Sequence, residues 1–149
     1  MPMPREFQHA SEDFDALIED ARDRADLATR HQTWTMIDAV LRVFRRRLTV
    51  AEGLRFAAVL PAVPRAMFVT DWDPSEPPVP FDGRAAMTRE VQAVRPHHNF
   101  APETAVAAVA GALRRQVDPI AFDRVLDGLP AEARAFWAVE GRVDGDRAT

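Results

Sequence analysis

Five arginines lie close together in the first half of the chain, and their guanidinium groups are well suited to binding a charged ligand. They are Arg42, Arg45, Arg46, Arg47 and Arg55. Arginine recognises phosphate in a bidentate manner, so the set is a candidate surface for phosphate or nucleic acid. The formal net charge of −4 gives no general reason to expect nucleic acid. The favoured interpretation is a solvated or ion-paired helix face, neutralised by the acidic stretch 12–26, with a protein partner as the alternative.

Other residue types that carry chemistry are scarce. The chain has no cysteine, no tyrosine and no lysine, and its only serines are Ser11 and Ser75. Glu6-x-x-His9 has the spacing found in carboxylate-bridged metal bundles, but such bundles use two copies of this motif and two further glutamates. His97 and His98 are adjacent in a loop. We predict no catalytic residue, no metal site and no cofactor. A metal or carboxylate enzyme is the least favoured alternative.

The chain also offers no element that predicts a membrane or secretory destination. Its longest apolar run, 105–113, is far shorter than the ~20 residues that a spanning helix needs. The N-terminus carries two prolines and no apolar segment of the kind that a secretory signal has. We therefore expect a cytoplasmic protein without a membrane partner.

Apolar residues recur at steps of three and four almost everywhere, which predicts an all-α fold. The pattern Leu-Pro-Ala-x-x-Arg-Ala occurs twice, beginning at Leu60 and at Leu129. Sliding the chain by 69 positions aligns further residues, and this predicts two related four-helix units packed as one compact helical domain. We expect each repeated stretch to form a structural turn, in which proline restarts the helix and arginine bonds freed carbonyls or an acid. The turn residues are Leu60, Pro61, Arg65, Leu129, Pro130 and Arg134. A paired anion site at Arg65 and Arg134 is the alternative.

The repeat and the turn residues divide the chain into five segments. These are an N-terminal extension (1–10), helical repeat 1 (11–70), a proline-rich acidic linker (71–82), helical repeat 2 (83–140) and a frayed tail (141–149). Within repeat 1 we expect Ser11 to cap the first helix and Thr49 with Glu52 to form a capping box. In repeat 2, Asp118 followed by Pro119 predicts another helix start.

Trp72 is the aromatic residue whose position is hardest to explain by a helical core. It lies in the linker, beside acids and prolines. Such a side chain either clamps the linker onto the helices or stays exposed as a contact surface, and we favour clamping. The other two tryptophans, Trp34 and Trp137, are expected in the core or at its rim.

Four stretches of the chain carry a resemblance to a known family. They are DFDALIEDA (13–21), AVLRVFRRRLTVAEG (39–53), VLPAVPRAMF (59–68) and AVAAVAGALRRQVDPIAFDRVLDGLPAEARAFW (105–137). With both repeats in view, the chain resembles the bacterial family called domain of unknown function 2267. The resemblance implies a duplicated helical unit. It implies no catalytic residue, since the family has no established activity.

Taken together, these features favour a non-enzymatic module for protein interaction. The partner would be another protein or a second copy of the chain, bound in a groove between the halves or around the linker. The candidate surface residues are Trp72, Arg42, Arg45, Arg46, Arg47 and Arg55.

Overall fold

The computed structural model describes residues 2–94 and 101–139, and every regular element in these ranges is a helix. The helices are α1 (Arg5–Gln8), α2 (Ala10–Ala25), α3 (Arg30–Arg45), α4 (Val50–Ala58), α5 (Ala62–Val69), α6 (Arg84–Ala93), α7 (Ala105–Arg114), α8 (Pro119–Asp127) and α9 (Ala131–Phe136). The prediction of an all-α fold is confirmed. The linker predicted at 71–82 lies between α5 and α6. The predicted tail at 141–149 and the pair His97 and His98 fall outside the described residues.

Local side-chain bonds explain where several helices begin. The Thr49 hydroxyl accepts from the backbone N–H of Glu52, whose carboxylate accepts from the N–H of Thr49, so the predicted capping box is confirmed. The carboxylate of Asp118 likewise accepts from the N–H of Ile120, at the predicted start of α8. The prediction for Ser11 is wrong. It lies inside α2, because α1 leads into α2 through His9.

The helices of the two halves interleave. α2 packs more extensively against α7 than against α3, its neighbour in sequence. α3 packs in turn against both α6 and α7, and α4 against α8. Packing between the two halves is thus about as extensive as packing within them, and a single core results.

Large aromatic side chains fill the centre of that core. Phe44 lies 4.7 Å from Phe56 and 5.4 Å from Trp137 between ring centroids. Phe56 contacts Phe122 at 5.7 Å, which joins α4 to α8. The indole N–H of Trp137 is buried and has no conventional hydrogen-bond acceptor among the described residues. The rings of Phe44, Phe122 and Phe136 lie nearly perpendicular to the Trp137 ring, with centroids 5.4, 5.9 and 5.1 Å away.

Several features recur at the spacing of 69 residues on which the predicted repeat rests. α4 and α8 begin and end at corresponding positions. Arg45 Nη1 donates to the carbonyl of Phe68 at 3.0 Å, and Arg114 Nε donates to the carbonyl of Trp137 at 2.6 Å. Both arginines thus bond the chain just at the end of a helix, α5 or α9. These recurrences support the repeat, which stays a prediction.

Both expected uses of the turn arginines occur, and Arg65 makes both, since its Nη2 also lies 3.1 Å from Oε2 of Glu6. Arg65 donates from Nε to the carbonyl of Ala57 at 3.0 Å and from Nη2 to that of Leu60 at 2.8 Å. Arg134 instead pairs with Asp127. Helices α5 and α9 begin directly after Pro61 and Pro130, which follow Leu60 and Leu129. The contacts of the two arginines give no support to a shared anion site.

One expectation about the core is wrong. Trp34 is 37% exposed and stacks on the ring of His31, with centroids 6.4 Å apart. α3 is central and buried on two sides, so Thr33 and Thr35, rather than the tryptophan between them, point into the protein.

Candidate interaction site

The predicted arginines lie at the C-terminal end of α3 and just beyond it, but they do not form one continuous exposed patch. Arg42 Nε donates to Asp38 at 2.9 Å, one helical turn earlier. Arg47 is buried and forms a two-bonded pair with Glu90 of α6, at 3.0 and 2.6 Å. Arg46 is exposed and also pairs with Glu90. Arg55 is exposed on α4.

Glu90 consequently holds two arginines from the opposite half of the chain. Burial by itself would raise the pKa of the Glu90 carboxyl. The hydrogen bond and charge of Arg47, with a further contribution from Arg46, outweigh burial and leave that pKa below its ordinary value. This ion pair therefore joins α6 to α3 at neutral pH.

Arg45 is buried at the base of the linker, with 7% of the residue exposed. Its Nη1 donates to the carbonyls of Phe68 at 3.0 Å and Thr70 at 2.8 Å, which fixes the end of α5. Burial and then the nearby charge of Arg42 lower the pKa of Arg45. No carboxylate of the described chain forms an ion pair with it.

Trp72 clamps the linker onto the helices, as the favoured interpretation expects. A Cβ added to Gly53 would lie 2.1 Å from Cη2 of the Trp72 ring, so the indole occupies the space that any larger residue would fill. The ring also meets Phe68 edge-on at 6.0 Å, and the guanidinium of Arg45 lies 5.6 Å from its centroid. Asp71, with φ at 56°, turns the chain to bring Trp72 into this position.

These residues surround a cleft between the end of α3, the linker and the end of α6. We call it the linker cleft; its volume is about 280 Å³. It is lined by Arg42, Arg45, Arg46, Leu48, Asp71, Trp72, Asp73, Glu76, Pro77, Val79 and Val94. Four of the six predicted surface residues thus meet in one cleft, whereas Arg47 and Arg55 do not line it. The arginines come from the last turn of α3 and the residue that follows it, and all the carboxylates come from the linker.

Two backbone contacts hold the far wall of the linker cleft in place. The N–H of Val79 donates to the carbonyl of Arg46 at 2.9 Å. Arg47 Nε donates to the carbonyl of Pro80 at 3.3 Å. Together with Trp72, these bonds fix the linker at both ends of the cleft, so the concave surface is preformed.

The acidic stretch 12–26 does not neutralise these arginines within the chain. Its carboxylates pair with other arginines. Asp15 and Glu19 hold Arg30 at 2.6 and 2.9 Å, and Asp20 holds Arg24 at 2.8 Å. The arginines at the end of α3 pair instead with Asp38, Asp71 and Glu90.

Sequence reasoning missed an apolar surface on α4. Leu54 is 59% exposed, and Val50, one turn earlier, is also exposed. Ile120 of the adjacent α8 is exposed as well. The alignment at 69 residues could have indicated this surface, because Leu54 aligns with the charged residue Asp123 of the second half.

Nothing in the described ranges assembles a metal site. No group of three histidine, aspartate or glutamate residues converges there. His9 lies 3.5 Å from Glu12 rather than joining Glu6. Also within these ranges, no helix combines the length and apolar character needed to cross a bilayer.

Comparison with known proteins assigns the fold to a family without assigning an activity. A search of curated proteins finds no match. The family model described as "Uncharacterized conserved protein (DUF2267)" matches residues 14–136, which is most of the chain from α2 to α9. The suspected family is therefore confirmed, and the chain belongs to DUF2267, a family of uncharacterized conserved proteins.

Proposed function

We propose that this protein is a non-enzymatic, cytoplasmic interaction module that binds a segment of a partner protein in the linker cleft. The observation that carries the proposal is the convergence of Trp72, Arg42, Arg45 and Arg46 in one preformed cleft. The cleft combines five apolar side chains with three arginines and three carboxylates, and so offers both apolar contact and charged groups to a bound segment. Because the linker is already fixed, a bound segment would not have to order it.

A random peptide library displayed on phage tests this proposal. Peptides enriched on the wild-type chain are measured again on the double variant Arg42→Gln and Arg46→Gln, which removes two cleft charges. Arg55→Gln and Arg124→Gln, together, form the matched control, since both residues are exposed and neither lines the cleft. We expect an affinity loss of about tenfold or more for the cleft variant and none for the control. Absence of enrichment, or equal binding by both variants, would contradict the proposal.

A second copy of the chain is the other partner that the cleft could take. Sedimentation equilibrium of the wild type and of the same cleft variant decides between the two. A dimer that the cleft variant dissociates would assign the cleft to self-association. If the wild type is a monomer at all concentrations, the linker cleft is assigned to a different protein.

A further inference from the structure

The two arginines that bond the ends of α5 and α9 occupy corresponding positions but have different electrostatic partners. Arg45 and Arg114 each donate to a carbonyl at a helix end. Each guanidinium also lies over an aromatic ring, Arg45 over Trp72 at 5.6 Å and Arg114 over Phe122 at 5.0 Å. Arg114 has in addition a carboxylate, since its Nη1 lies 3.0 Å from Asp123.

Two consecutive positions of α4 explain the difference. Gly53 stands where α8 has Phe122, and this leaves space for the ring of Trp72. Leu54 stands where α8 has Asp123. The linker thus supplies an aromatic ring to Arg45, but no carboxylate of the described residues lies within ion-pair distance of it, and Asp38, Asp71 and Glu76 act on its charge from further away.

Two nitrogen atoms of Arg45, Nε and Nη2, remain available for a ligand of the linker cleft, which Arg45 lines. Both of its hydrogen bonds to described residues come from Nη1. Nε and Nη2 donate to none of these residues, and neither atom is among the fully enclosed polar atoms without a partner. They are therefore not fully enclosed, and Arg45 lines the linker cleft. A guanidinium with donors left over at a cleft can form charge-assisted hydrogen bonds to an anion.

We propose that the linker cleft binds an oxyanion, carboxylate or phosphate, through Arg45, and that the bound group supplies a negative charge to Arg45 as Asp123 does to Arg114. This inference rests on the proposed function only in assigning the oxyanion to a partner protein. Arg42 and Arg46 flank the site and add positive charge.

The acids of the linker cleft lie on its linker wall. Asp73 accepts from the N–H and hydroxyl of Ser75, at 2.9 and 2.6 Å, and so stabilises a turn in the linker itself. The side chain of Asp71 is 83% exposed, and its closest arginine atom is Nη2 of Arg42 at 3.9 Å. Glu76 is exposed as well. These charges weaken oxyanion binding by repulsion, so Asp71→Asn and Glu76→Gln should each strengthen it.

The test is an NMR titration with inorganic phosphate and with acetate at constant ionic strength. The indole N–H signal of Trp72, assigned with Trp72→Phe, reports on the site, and the core Trp137 serves as the internal reference. Leu54→Asp restores the carboxylate of the second half, and Leu54→Asn changes the side chain equally without charge. Leu54 is exposed, so both variants should fold. Arg45→Met removes the proposed binding residue directly.

We expect saturable shifts of Trp72 with the wild type and with Leu54→Asn. We expect affinity to fall about tenfold or more with Leu54→Asp, since a carboxylate at the position that corresponds to Asp123 would offset the charge of Arg45, and to be lost with folded Arg45→Met. No saturable shift, equal binding by the two Leu54 variants, or binding by folded Arg45→Met at wild-type affinity would overturn the proposal.

Blocked peptides containing one glutamate or one phosphoserine distinguish the source of the oxyanion. Binding tighter than that of the free ion assigns it to a partner, and equal binding assigns it to a free ion. Phosphate or acetate binding without any enriched peptide would contradict the interaction module and keep the oxyanion site. Enriched peptides that lack an acidic group, together with no binding of the free ions, would contradict the oxyanion site and keep the interaction module.

Discussion

Gly53 is the residue on which the position of the linker depends. A methyl group there would overlap the ring of Trp72, whose Cη2 and Cζ3 would lie 2.1 and 2.6 Å away. Gly53→Ala should therefore displace the indole and lower the free energy of unfolding by about 1–3 kcal/mol. Urea denaturation measures this loss, and tryptophan emission should shift to the red as Trp72 becomes exposed.

Gly53→Ala should raise the free energy of unfolding, rather than lower it, once the indole of Trp72 has been removed. In a Trp72→Ala background, alanine at position 53 meets no ring and favours the helix, so it should stabilise by about 0.5–1 kcal/mol. Destabilisation of similar size in both backgrounds would mean that Trp72 does not occupy the space beside Gly53.

Glu90 makes stability depend on pH in a defined direction. Its pKa is lowered in the folded protein, so the unfolded chain takes up its proton first as the pH falls. The stability from its pairs with Arg47 and Arg46 is present above the ordinary glutamate pKa and is lost as pH falls through the lower, folded value. Glu90→Gln should cost about 2 kcal/mol at pH 7.

That cost should nearly disappear in acid. Urea denaturation of the wild type and of Glu90→Gln between pH 7 and about pH 3 measures the difference at each pH. Glu132→Gln is the control, because Glu132 is exposed and has no ion pair among the described residues. A Glu90→Gln cost that does not change with pH would show that side-chain packing, rather than charge, joins α6 to α3.

At the scale of elements, the two turns between helices use the same arginine in different ways. Arg65 bonds two partly buried carbonyls at the end of α4, whereas Arg134 makes an exposed pair with Asp127. Arg65→Met should therefore lower the free energy of unfolding by about 1.5 kcal/mol. Arg134→Met should lower it by less than about 0.5 kcal/mol. Thermal or urea unfolding measures both, and equal costs would contradict these assigned roles.

The sequence predicts a structural feature well when the residues that cause it lie close together in the chain. The capping box of Thr49 and Glu52 joins residues three apart, so a reader of the sequence finds it. The outward position of Trp34 depends on the burial of α3 from two sides, which no stretch of α3 itself shows. The ion pairs of Arg42, Arg46 and Arg47 agree with the expected solvated or ion-paired face. The burial of Arg45 and Arg47 depends on α5, α6 and the linker, so the spacing of the arginines could not show it. The contact of Trp72 with Gly53 was signalled only by the mismatch of Gly53 with Phe122.

At the scale of the whole molecule, the halves depend on each other for burial. α2 covers α7, and α3 covers α6, so neither half can bury its apolar faces alone. Fragments 1–82 and 83–149 should each show little helical circular dichroism, and an equimolar mixture should recover most of the signal of the intact chain. A fragment that is stably helical and monomeric by itself would contradict an interleaved core.

The interleaving also has a consequence for synthesis of the chain. α2 is translated long before α7, the helix that covers it most. Contacts between residues so distant in sequence slow folding compared with a bundle of sequential neighbours. The first half therefore leaves the ribosome before the helices that cover part of its apolar surface, and surface exposed in this way favours aggregation or chaperone binding until the second half follows.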